Sequence, residues 1–195
     1  HAMIDQKPQA CTRLNTRLFN SRWTPELAQN ITEKVVATYQ DERGISHIGG
    51  GNMPQSEVVL NALEVILEIL FPGYTGRHAF YHTGLQFSVG NHIDQVYRLL
   101  TEQVERAFAY RCEVQCCAGC DCLKLAEDAV INLLEKLPTI RETLKTDVQA
   151  ALDGDPAAKS TDEIVIAYPG LKAIAIQRVA HEIYRAEVPL IDRVM

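Results

Sequence analysis

The sequence predicts an all-α fold, a multi-helix bundle, on three observations. Apolar residues recur at intervals of three and four along most of the 195 residues, while sustained apolar/polar alternation is scarce. The periodic stretches are bounded by recognisable helix starts and stops. The composition, 47% apolar and 23% charged, is that of a globular chain long enough to bury a core.

Thr24-Pro25-Glu26 supplies an N-cap, a first-turn proline and an acid at the positive end of the helix dipole, predicting a helix to about Tyr39. Gly44 and Gly49-Gly50-Gly51 break it. Pro54 is expected to open the next helix, with Val59, Leu63, Ile66, Leu67 and Leu70 on one stripe and Glu57, Glu64 and Glu68 elsewhere on the wheel. Phe71-Pro72-Gly73 ends it, and a loop rich in glycine, histidine and aromatics leads to Ser88, a candidate cap for a long helix through Val96, Leu99, Leu100, Val104 and Phe108. Leu125, Val130, Leu133 and Leu134 mark a further helix that is expected to stop before Pro138. The pattern resumes with Ile140, Leu144, Val148 and Leu152 and breaks at Gly154-Asp155-Pro156, because a residue before proline is pushed out of the helical region. Ser160-Thr161-Asp162-Glu163 reads as a capping box over a short helix. Tyr168-Pro169-Gly170 then turns the chain into a last long helix, with Leu171, Ile174, Val179 and Ile183 on one side and Arg178, Glu182 and Arg185 on another. Pro189 starts a new element, and the stretch to Met195 has neither a polar tail nor a helix stop, so the chain reads as one cut short of a following domain. His1-Ala2 before Met3 reads as a cloning remnant.

The charge balance, −6 with a pI near 5.5, works against nucleic-acid binding, which needs clustered Lys and Arg. No stretch approaches the roughly twenty consecutive apolar residues that span a bilayer, and the leader lacks a basic-then-apolar signal. Arg13, Arg17 and Arg22 are read as helix surface. Five of the six cysteines fall between Cys112 and Cys122, which rules out a disulfide framework spread over the fold and points to a reducing, cytoplasmic setting.

General catalytic motifs are absent: there is no P-loop, nucleophile elbow or paired-histidine zinc helix. His47, His78, His82, His92 and His181 lack ligand spacing and are expected to be surface or hydrogen-bonded residues. Cys112, Cys116, Cys117, Cys120 and Cys122 form the strongest local candidate, since thiolates at such spacing can hold zinc or an iron–sulfur cluster. A second C-x2-C pair is missing, so no metal is expected, and redox-sensitive thiols or simple packing at a helix corner are the competing readings. Asp155 before Pro156 is expected to serve as an N-cap.

Beyond these, several words stand in order near the end of the chain: Asp147-Val148-Gln149-Ala150-Ala151, Gly154-Asp155-Pro156-Ala157-Ala158, Tyr168-Pro169-Gly170, Arg178-Val179-Ala180-His181-Glu182 and Val188-Pro189-Leu190-Ile191. Residues 137–195 resemble the close of the helical domain of bacterial serine O-acetyltransferases, just before their hexapeptide-repeat β-helix. Residues 4–136 read as a helical extension, in which Leu70-Phe71-Pro72-Gly73-Tyr74 resembles one bacterial branch more loosely; the cysteine cluster lies outside the family pattern.

The resemblance implies acetyl transfer from acetyl-CoA to the hydroxyl of L-serine, with a histidine as general base oriented by a carboxylate. Those residues and the CoA site lie on the family's β-helix, so it implies no catalytic residue in this chain and predicts the chain alone to be inactive. It assigns Asp155 to the substrate's amino group, at a site where cysteine competes as feedback inhibitor, and it leaves Asp147, Arg178 and His181 as structural. It further implies homo-oligomers, trimers or pairs of trimers, and docking of O-acetylserine sulfhydrylase through a C-terminal tail not in this chain. The rival expectation is a non-enzymatic helical interaction module, metal- or redox-sensitive through its cysteines.

Overall fold

The Thr24 hydroxyl accepts the Leu27 amide at 3.2 Å, and helix α1 (Pro25–Ala37) follows, tightening into a 3-10 turn at Thr38–Gln40. The Glu26 carboxyl is held below its ordinary value by its own backbone N–H and by Thr24, as a first-turn acid should be. This computed structural model describes residues 22–40, 45–75, 83–116 and 119–195. It divides into two units, His1–Gly49 and Gly50–Met195. Within the first, α1 buries no residue, and Leu27, Ile31, Val35 and Tyr39 remain more than a third exposed along one face.

The second unit holds α2 (Ser56–Leu70), α3 (Leu85–Gln115), α4 (Cys122–Gly154), α5 (Thr161–Ala167), α6 (Pro169–Arg185) and α7 (Ile191–Val194). Among the described residues there is no β-strand, so the fold is all-α as the periodicity predicts. Helices α3 and α4 pack together, α2 packs against α3, and the far part of the bundle is closed by α6 and α7 over α4 and α2. The five stripe residues predicted for α2 are all buried, and its first turn begins at Ser56 rather than at Pro54. The reason for that start lies on another helix: Gln103, only 1% exposed, accepts the Gln55 amide at 2.8 Å, so a buried side-chain amide finds its partner at a helix N-terminus. At the other end, Arg141 donates to the Leu70 carbonyl at 3.2 Å.

Four expectations are corrected here. Ser88 does not cap α3; the helix starts at Leu85 after Gly84, whose φ of +87° is a conformation glycine adopts without penalty. Ser88 instead sits in the first turn, its amide on the Gly84 carbonyl. Helix α4 does not stop before Pro138 but runs through it. A proline inside a helix costs about 3 kcal/mol, yet Leu133, Leu137, Ile140 and Leu144 are buried on both sides of it, each contributing roughly 1.5–3 kcal/mol. Packing therefore wins, and Pro138 occupies the exposed face. Leu125 and Ile174, assigned to buried stripes, are 42% and 41% exposed because each lies at the margin of its helix's apolar face.

The remaining starts are as predicted. Ser160 Oγ accepts the Glu163 amide at 3.2 Å, while Glu163 returns its bond to the Lys159 amide at 2.9 Å, one residue before the cap. Pro169 occupies the first turn of α6.

Candidate functional site

Helix α4 ends at Gly154, and the carboxylate of Asp155 organises the turn beyond it. Its Oδ1 accepts the Ala157 amide at 2.9 Å and its backbone oxygen accepts the Ala158 amide at 3.1 Å, so the turn is tight. The N-cap expectation is corrected accordingly: Asp155 is the C-cap residue of α4, and its side chain closes a turn because no helix begins until Thr161. Pro156 keeps Asp155 in the extended region, φ −115° and ψ 105°.

The second carboxylate oxygen, Oδ2, accepts the phenol of Tyr168 at 2.5 Å. Tyr168 is the residue before α6, so this bond ties the exit of α4 to the entry of α6. Tyr168 first, and the Ala157 amide second, hold the Asp155 carboxyl below its ordinary value, and the same bond pushes the Tyr168 phenol up to about 12. Asp155 is therefore an ionised, half-buried acceptor at neutral pH. Each carboxylate oxygen can accept two donors, so two internal bonds leave acceptor capacity for a ligand.

These two shifts act on stability at opposite ends of the pH scale. The lowered Asp155 value contributes stability that is present above the ordinary carboxylate range and is lost as pH falls through the folded value. The raised Tyr168 value contributes stability that is present below about 10 and is lost as pH rises through about 12. In alkaline absorbance titration, wild type minus Tyr168→Phe is expected to show one phenol ionising near 12. Asp155→Asn is expected to return that phenol toward 10. A Tyr168 midpoint that ignores the Asp155 substitution would show that the bond does not form.

Asp147, two turns before Asp155 on α4, takes Arg178 of α6 in a fork: Nε to Oδ2 at 3.1 Å, and one terminal nitrogen to Oδ1 and Oδ2 at 3.0 and 2.8 Å. His181 is exposed and stacks on Tyr184 with ring centroids 6.3 Å apart. The two carboxylates thus have different settings: Asp147 is spent on a guanidinium, Asp155 on a phenol and an amide.

The other candidates are dispersed. Both His92 ring nitrogens face acceptors, Glu68 at 2.9 Å and the Ser88 carbonyl at 2.7 Å. His47 is exposed, and His78 and His82 lie outside the described residues. Cys112 lies in the last turn of α3 and Cys122 opens α4; Cys116 and Cys120 are exposed, and Cys117 lies outside the described residues. Cys116 does not extend the helical face of Cys112, because α3 ends at Gln115 and Cys116 turns left-handed at φ 52°. No three His, Cys, Asp or Glu side chains among the described residues gather as a metal site.

No protein-family model matches the chain. The plasmid serine acetyltransferase of Synechococcus elongatus is 32% identical over 145 residues, 73% of this chain and 46% of that protein. The chain belongs to the serine acetyltransferase family. Serine acetyltransferase isoform 3 from Entamoeba histolytica, solved in complex with cysteine, superposes with a TM-score of 0.54 at 29% identity, covering 87% of this chain and 54% of its own. The native serine acetyltransferase 1 of that organism gives 0.52 at 26% identity, covering 84% and 55%. The chain spans about half the length of these serine acetyltransferases.

Proposed function

We propose that this chain is the helical N-terminal part of an enzyme that transfers the acetyl group of acetyl-CoA to the hydroxyl of L-serine, and that Asp155 receives the substrate's ammonium group. The observation that supports it is the Asp155 carboxylate itself, ionised and aimed by Tyr168 and Ala157 yet with acceptor capacity left over. An alkylammonium supplies the complementary charged donors. In this reading the general base and the CoA groove lie in the part of the protein that this chain, about half the length of its relatives, does not span, so the chain alone is expected to be inactive.

In this reading residues 4–136 form a helical extension, residues 137–195 lead into the domain that carries the chemistry, and the helical part contributes to a homo-oligomer, a trimer or a dimer of trimers. The half-exposed apolar residues Leu27, Ile31 and Val35 of α1 and Tyr39 of the 3-10 turn after it are suited to such assembly. O-acetylserine sulfhydrylase is the expected partner, through a C-terminal segment of the full-length protein. No described helix is long and apolar enough to cross a membrane; this reading places the enzyme in the cytoplasm.

The test is acetyl-CoA consumption with L-serine by the full-length protein, its Asp155→Ala variant and the present chain. Activity is expected in the first and none in the last. The variant should lose about tenfold in kcat/KM for serine, the scale of one partly exposed charge-assisted hydrogen bond, with KM for acetyl-CoA unchanged. A full-length protein that never turns over serine would instead favour the helical interaction module.

A further inference from the structure

The cysteine cluster is absorbed by none of this, yet the fold brings two of its members together. Cys112 stands in the last turn of α3 and Cys122 is the first residue of α4, and their Sγ atoms lie 3.7 Å apart. Both side chains are half-buried, so the pair is held by packing and still reachable by a small reagent. We propose that Cys112 and Cys122 are a reversible disulfide site, closed by exchange with a low-molecular-weight disulfide.

The chemistry balances without a further reactant. A thiolate at Cys112 attacks one sulfur of the reagent disulfide, releasing one thiol and leaving a mixed disulfide on Cys112. The Cys122 sulfur then attacks Cys112 Sγ and expels the second thiol. Two protein thiols are oxidised to one disulfide, one reagent disulfide is reduced to two thiols, and the two protons pass to the released thiolates. The remaining movement is small, because the sulfurs need only close from contact to the roughly 2.05 Å of a bond.

The bond would tie the two longest helices of the bundle at their shared corner. That corner is coupled to the end of the chain. Arg111, beside Cys112, packs over Phe108 at 4.8 Å and donates to the Glu187 carbonyl at 3.1 Å. Glu187 adopts φ 56° immediately before the buried Val188 that leads to α7. Oxidation therefore clamps the helix end on which the turn into α7 rests.

The chain, fully reduced, is equilibrated across a series of oxidised-to-reduced glutathione ratios, alkylated and digested with a protease that cuts after Glu113 and Asp121. The expected product joins the peptide ending Cys112-Glu113 to the peptide beginning Cys122-Leu123, with loss of two hydrogens, and is undone by reductant. Its formation should raise the thermal midpoint by roughly 5–10 °C, the scale of closing a loop of this length. Cys112→Ser and, independently, Cys122→Ser should each abolish that rise, while a Cys116→Ser/Cys120→Ser double variant should keep it. Cross-links that join only the peptide between the two cuts to itself, or glutathione mixed disulfides without closure, would overturn the proposal.

Discussion

Ile66→Ala is expected to cost about 2–5 kcal/mol of stability, among the largest effects of any single side-chain truncation in this bundle. Ile66 is fully buried on α2, a helix packed against α3, α4, α6 and α7, so its truncation leaves a space in the interior of the bundle. Such a site relaxes poorly, because a close-packed interior is held by contacts of its own, and a cavity that cannot collapse adds to the lost transfer energy. For a unit of this size, thermal melting should fall by roughly 2–4 °C per kcal/mol. Leu60→Ala on the same helix supplies the comparison. Leu60 is 44% exposed and should change stability by no more than about 0.5 kcal/mol. Equal midpoints for the two variants would mean that α2 does not occupy the centre of the core.

The class of the fold is legible in the sequence because helix periodicity is a local signal. Where one principle acts alone, the reading is accurate: Thr24 caps α1, Pro169 starts α6, and Gly154 ends α4. The misreadings fall where two principles compete. At Pro138 a local cost is set against packing on both sides, and the packing partners come from distant parts of the chain. At Ser88 a good capping residue loses to Gly84, whose accessible left-handed backbone lets the helix start one turn earlier. The start of α2 depends on Gln103, a residue that no sequence-local rule connects to Gln55.

The site is legible in a different sense. Asp155 stands out through an ordered set of words resembling those of a family, and a similar serine acetyltransferase at 32% identity supports that relationship. Its physical setting is not readable from sequence. Tyr168 reads there only as part of a turn, although a tyrosine flanked by a helix and Pro169 has a phenol that needs a partner, and an acid able to reach it sits where α4 ends. The contact of Cys112 with Cys122 is likewise hidden, since it depends on α3 ending at Gln115 and α4 opening at Cys122 rather than on spacing.

The clamp between Asp147 and Arg178 should give the second large effect. Arg178→Ala removes a guanidinium that meets both oxygens of one carboxylate. Breaking a fully buried pair costs about 3–5 kcal/mol; here the side chains are 31% and 23% exposed, so water recovers part of that cost and about 2–4 kcal/mol is expected. Arg178→Lys should recover little of the loss, because an ammonium is a point charge and cannot reproduce the two-pronged geometry. A double-mutant cycle with Asp147→Ala separates pairing from packing: a coupling of about 1–3 kcal/mol is expected, since the atoms share one network. The clamp joins α4 to α6 one helical stretch before Asp155 and Tyr168 join the same two helices. Loss of the clamp should therefore also lower the alkaline midpoint of Tyr168, by loosening the geometry that holds its phenol on Asp155. A cycle with no coupling, together with an unmoved Tyr168 titration, would show that the two ties act independently and that α6 is seated by its buried Leu171, Ala175, Val179 and Ile183 alone.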